Sequence, residues 1–146
     1  MKRLIFLLIL FPVFCFAQED GIAGLLGKPT DSIIYEQNLA IKYNKISDVS
    51  LISAKSAPEG GLTLVYQNIT GDKIDYDVYY FDDKNKLIGF STIFSKNEEK
   101  ARLKSMLADY DIIDPHLLYH KKYNLKVTHN VEGDRVIFVY KRRQPE

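Results

Sequence analysis

Cysteine is almost missing from this 146-residue chain, which holds a single one, Cys15. One thiol excludes an intramolecular disulfide framework. Glycine (8 residues) and proline (5 residues) are also sparse, and the glycines never gather into a loop that could cradle a phosphate. Gly24 and Gly27 around Leu25 and Leu26 are too few for that purpose. Charge of one sign is not in excess, with 20 basic residues against 19 acidic ones, so nucleic acid has no electrostatic claim on the chain. No serine sits in a Gly-x-Ser-x-Gly elbow, and no motif for a cofactor is present.

Only one long apolar run exists, Leu4 to Phe16. It is too short for the roughly 20 residues of a membrane span, and Pro12 interrupts it. Lys2 and Arg3 precede it and Ala17 follows, which is the layout of a secretory signal peptide over residues 1–17. Cys15 raises a lipoprotein alternative, but Phe14 stands where such signals need a small residue. Removing the leader leaves 129 residues without cysteine, enough for one α+β domain over 18–146 with a core of its own. A chain outside the cytoplasm that does without disulfides points to a periplasmic or secreted bacterial protein. Nothing past the leader approaches membrane length, and no internal repeat is visible. Asn68-Ile69-Thr70 matches a glycosylation sequon and is read as a loop.

The periodicity predicts the order helix, four strands, helix, two strands. Thr30 caps a helix over 31–43 with an apolar face of Ile33, Ile34, Ala40 and Ile41. Alternation then gives strands over 49–56, 62–68, 73–82 and 86–94. Pro58-Glu59-Gly60 has the chemistry of a three-residue hairpin loop, which sets Ala54 opposite Leu64 and Ile52 opposite Tyr66. A second such loop, Asp83-Lys84-Asn85 with Asn85 left-handed, pairs Asp82 with Lys86. Continued without interruption, that register pairs Val78 with Phe90 and Asp77 with Ser91. It makes Tyr76, Val78, Tyr80, Ile88, Phe90 and Phe94 one core face and turns Asp75, Asp77, Tyr79 and Phe81 outward.

Ser95 and Glu98 form a capping-box pattern before a helix over 96–109, whose Ala101, Leu103, Met106, Leu107 and Tyr110 would cover the sheet. HLLYHKK is then a connection to a last hairpin, 123–130 and 135–141. A two-residue turn at Glu132-Gly133 would pair His129 with Val136. KRRQPE reads as a solvated tail. The architecture expected is an antiparallel sheet of about six strands with helices packed on one face.

Several groupings carry candidate chemistry. Asp75, Asp77, Tyr79 and Ser91 would form an outward surface-binding patch. Two carboxylates at that spacing suit a hard cation or an acid and base pair, although alternate charges also simply keep an exposed sheet face soluble. DDKNK lacks the glycine and terminal glutamate of a calcium loop. His116 and His120 are four apart, the spacing of metal ligands on a helix, but Pro115 limits any helix here. His129 falls on an apolar strand face as a core histidine. Tyr79 and Phe81 on the outward face could stack on a sugar or anchor a partner.

GLLGKPTDSII followed by VYYFDDKNKLIGF resembles small uncharacterised secreted or periplasmic α+β proteins of Gram-negative bacteria. More loosely, the helix-plus-meander order resembles the units of β-lactamase-inhibitor-like and outer-membrane-assembly lipoproteins. The resemblance implies binding, without catalytic residues to carry over. Three functions remain expected in order: a non-enzymatic module that binds an envelope protein or a polysaccharide; a small hydrolase or metal-dependent enzyme on Asp75, Asp77, His116 or His120; and a cystatin-like roll around an apolar ligand. Neither a cofactor nor a metal is assigned.

Overall fold

The structure, a computed structural model, describes residues 21–43 and 48–144. The expected leader lies outside these residues. Two helices, α1 (Gly21–Leu25) and α2 (Thr30–Tyr43), lead into a meander of β1 (Asp48–Ser56), β2 (Leu62–Thr70), β3 (Lys73–Phe81) and β4 (Leu87–Ser95). A 3-10 turn (Lys96–Glu98) runs into α3 (Glu99–Met106). A second meander follows: β5 (Tyr110–Asp114), β6 (Leu117–His120), β7 (Leu125–Glu132) and β8 (Arg135–Arg142).

All eight strands belong to one antiparallel sheet in the order β1-β2-β3-β4-β8-β7-β6-β5. The fold is α+β and mostly sheet, with eight strands where alternation predicted six. Each meander is preceded by a helix, and the two join through their fourth strands. A repeat that the residues do not display is therefore present in the topology.

The missed strands are β5 and β6, in the segment expected to finish a helix and connect onward. Tyr110 leaves the helix to pair with His120, and Ile112 and Ile113 are exposed on the sheet edge. An edge strand pairs on one side only, and the charges of Asp111 and Asp114 blunt it against other chains. Its alternation is correspondingly weak. At the other end of the chain, Lys141 and Arg142 belong to β8, and Arg142 Nη2 donates to the Leu26 carbonyl at 2.9 Å. That part of KRRQPE is not a free tail.

Turn chemistry acts as expected in the β1-β2 and β3-β4 hairpins. Ala57 N–H donates to the Gly61 carbonyl, Gly60 takes φ +87°, and Ala54 faces Leu64. Asp82 N–H donates to the Lys86 carbonyl, and Asn85 takes φ +57°. Beyond each turn a β-bulge overrides the simple register. Ile52 is skipped, so Leu51 faces Tyr66; Ile88 is skipped, so Gly89 faces Tyr80 and Phe90 faces Tyr79. One extra residue reverses which side chains share a face. The last hairpin instead turns at Gly133-Asp134, which pairs Glu132 with Arg135 and His129 with Phe138. That is a shift of two residues, so its faces are unchanged.

Gly61 shows how tightly the first turn is held. Its φ is +97°, and a Cβ there would lie 2.4 Å from the Phe81 carbonyl oxygen. Gly61→Ala is expected to cost on the order of 1–3 kcal/mol through combined strain and backbone overlap. A urea midpoint unchanged from the parent chain would sink that expectation.

The helices lie on one face of the sheet, called here the inner face. Leu64, Tyr79, Phe90, Tyr140, Val127 and Leu118 are buried in one row across it. Tilted rings follow one another along the row, Tyr79 to Phe90 at 5.0 Å and Phe90 to Tyr140 at 5.6 Å between centroids. Leu26 and Ile33 complete this core, and Ile34, Leu103 and Met106 pack against it.

α3 docks differently from its expected apolar stripe. Ala101 and Leu107 are exposed, and Ser95 makes no side-chain cap. Glu98 instead accepts from Arg102, and Lys73 approaches it at 3.5 Å. Ionic contacts to the sheet supplement Leu103 and Met106 in seating the helix.

Candidate functional site

The four residues expected to share an outward patch are divided by the Ile88 bulge. Asp75, Asp77 and Tyr79 lie on the inner face beneath the helices, whereas Ser91 faces Val78 on the opposite side. Ser91 Oγ is 3.3 Å from the Tyr80 hydroxyl. Tyr79 and Phe81, expected to be free for stacking, are buried, and Gln37 Nε2 donates to the Tyr79 hydroxyl at 2.8 Å. The patch does not exist as a surface.

Its acidic members belong to a polar knot between α3 and the sheet. Arg102 Nη2 donates to Asp75 Oδ2 and, at 3.1 Å, to Glu98 Oε2, while its guanidinium lies 4.1 Å above the Phe94 ring. The flat cation thus joins two carboxylates and an aromatic face. Asp77 stands in the next row, between Tyr66 and Thr92. Burial pushes its carboxyl up to about 6, and the Asp75 charge adds to the rise. A hydrogen bond from Thr92 and the charge of Arg102 oppose it. Asp75 Oδ1 and Asn68 Oδ1, on directly paired residues, are both buried without a hydrogen-bond partner.

The histidines lie elsewhere. His129 is 6% exposed; its Nδ1 is 3.2 Å from the Pro115 carbonyl, and its Nε2 is 2.8 Å from Glu99 Oε1. The second contact has ion-pair distance without hydrogen-bond geometry. Both ring nitrogens thus have an oxygen atom nearby. His116 Nδ1 lies 2.9 Å from the His129 carbonyl, and His120 Nδ1 accepts from the backbone N–H groups of Lys122 and Tyr123. His116 precedes the extended strand β6 and His120 ends it, which spaces them by roughly 13 Å instead of one helical turn. They cannot grip one ion as a helical pair would.

Asp75 and Asp77 on β3 are separated from β6 by β4, β8 and β7, roughly 19 Å along the sheet. Among the described residues no three His, Cys, Asp or Glu side chains are grouped to hold a metal. Two open clefts, of about 190 and 210 Å³, are lined by Leu26, Tyr123 and Arg142 in one case and by Asp72, Glu98 and Arg135 in the other. Both are smaller than the roughly 300 Å³ at which small-molecule sites begin.

The opposite, outer face of the sheet is different. Val65, Val78, Ser91 and Val139 form one cross-strand row on it, with Gln67, Tyr76, Ile93 and Ile137 forming the next. Thr63, Tyr80, Gly89, Lys141 and Lys126 form a third. The apolar members of the first two rows are contiguous, and the described helices pack on the other side. Alternation signals these residues, but the register without the bulge places Tyr76, Val78 and Tyr80 in the core. The apolar pattern was right, and the side of the sheet was not.

Comparison of the chain with protein-family models, with curated proteins and with solved structures finds no match. No helix among the described residues is long and apolar enough to cross a membrane.

Proposed function

We propose that this protein is a non-enzymatic interaction module of the periplasm or the secreted space, and that the outer sheet face receives its partner. The observation that carries this reading is the half-buried apolar surface of Val65, Ile93, Ile137 and Val139 with Tyr76 and Tyr80, around the buried Val78 and Ser91, which no described helix covers. A sheet with one face packed on its own core commonly leaves polar side chains on the other. A contiguous apolar floor bordered by polar residues instead marks a contact surface. An enzyme built on Asp75, Asp77, His116 and His120 would need those groups to meet, and they belong to separate parts of the sheet.

Photo-crosslinking tests the reading. A benzophenone amino acid in place of Ile137 is expected to give a discrete adduct in the cells that make the protein, and the same probe in place of Tyr35 on α2 is not. Val139→Asp, on a folded chain, is expected to abolish the Ile137 adduct. Equal labelling from both positions would count against the outer face.

A further inference from the structure

The charges around the outer face are not distributed as the near-neutral composition suggests. Carboxylates are drawn to the inner face, where Asp75 and Glu98 hold Arg102 and Glu99 meets His129, or into turns, where Asp82 Oδ1 accepts from the backbone of Lys84 and Lys86. On the outer face Lys126 and Lys141 stand directly opposite each other on β7 and β8. Like charges in that position repel and destabilise a sheet. Among the described residues neither lysine meets a carboxylate. Glu132 is six residues along β7 from Lys126, roughly 20 Å away and beyond useful range in salt. Asp111, across the edge strands, has Lys121 at 4.0 Å.

These cations adjoin the apolar floor. A Cβ on Gly89 would meet Lys141 Cγ and Cε and Tyr80 Cδ2, each at 3.6 Å, so the lysine stem and the tyrosine ring flank the gap left by the glycine. The Lys141 stem is thus part of the hydrophobic surface while its ammonium is free to pair. Val139 is next but one along the same strand, on the same face.

We propose that the partner is a protein with an acidic segment, which sets a carboxylate against Lys126 and Lys141 while its aliphatic side chains cover the half-buried Val139, Ile137 and Ile93. The proposal rests on the outer-face reading above and adds the chemistry of the occupant. A polysaccharide fits less well because the centre of this surface is valine and isoleucine, which cannot answer sugar hydroxyls. An apolar centre with charge at its rim is the anatomy of a protein interface. An incoming carboxylate would also relieve the repulsion between the two lysines.

The test selects random linear peptides displayed on phage against the full chain. Lys126→Glu with Lys141→Glu, and separately Val139→Asp, serve as variants whose folding is checked by circular dichroism and urea midpoint. Enriched peptides are expected to combine Asp or Glu with aliphatic residues and to lose roughly tenfold or more in affinity to each variant. Peptides with their acids changed to lysine are expected to recover binding to the double-lysine variant. Peptides without acidic bias that Val139→Asp alone defeats would overturn the acidic partner and leave the outer face standing. Peptides indifferent to both variants, or no enrichment above an unrelated control protein, would overturn both. Dextran sulfate that binds through the lysines and ignores Val139→Asp, with no acidic-aliphatic peptide recovered, would replace the protein partner by a polyanion.

Discussion

Phe138→Ala is expected to lower the unfolding free energy by roughly 3–5 kcal/mol, the range for emptying an aromatic site in a closed core. Phe138 is 1% exposed on β8, the strand that joins the two meanders through β4. Its ring meets Phe94 at 5.0 Å and His129 at 5.3 Å, both edge to face. Truncation would therefore leave a void bounded by one ring from each meander and remove packing that keeps the seam closed. Loss of one methyl's worth of stability, or none, in urea unfolding would mean that the seam is held mainly by its backbone ladder. Phe138→Leu should recover most of the deficit if packing volume is the cause.

Asp77→Asn is expected to stabilise the protein by up to about 3 kcal/mol at pH 7.5 and to change little at pH 3.5. The folded-state value of about 6 lies above the unfolded value of 3.8, so the folded state binds this proton more tightly. The contribution is fully present below pH 3.8 and is lost as pH rises through about 6, at about 1.4 kcal/mol for each unit of separation. Above pH 6 the chain keeps an ionised carboxylate between Tyr66 and Thr92, close to the Asp75 charge. Asparagine keeps the shape without that charge. Urea midpoints of the two proteins from pH 3.5 to 7.5 should diverge through this window, and parallel curves would show that Asp77 is solvated in the folded state.

Both variants probe the inner face, one its aromatic packing and the other its acidic groups. The inner face combines an aromatic core with a half-buried ionic knot beneath α3, in which Asp75 of the sheet and Glu98 hold Arg102, and Glu99 meets His129. The outer face keeps its valines, isoleucines and two tyrosines without a described helix over them, beside lysines that meet no carboxylate among the described residues. On the proposed function, stability and recognition belong to different faces. Inner-face substitutions should move the unfolding midpoint, and outer-face substitutions should move binding.

Much of the fold is legible residue by residue because turn chemistry is local. Pro58-Glu59-Gly60 and Asp83-Lys84-Asn85 specify their loops by backbone preference alone, and Asn85 adopts the left-handed conformation that such a loop requires. Strong alternation likewise marks β2, β3, β4, β7 and β8 as half-buried strands. The edge pair β5 and β6 is harder to see, since Ile112 and Ile113 are exposed and pairing with β7 organises the segment.

What the sequence by itself determined is where the chain turns and which residues alternate, for these follow from dihedral preferences and the period of a strand. Only the tertiary structure decided which side of β3 is inside. Nothing local distinguishes Ile88 as an extra residue; its place outside the ladder is selected because Phe90 and Phe94 then fall on the same face as Tyr79, Phe138 and Tyr140. That single non-local choice places Asp75 and Asp77 half-buried on the inner face, gives them Arg102 as a neighbour, and turns Tyr76, Val78 and Tyr80 toward the face proposed to bind.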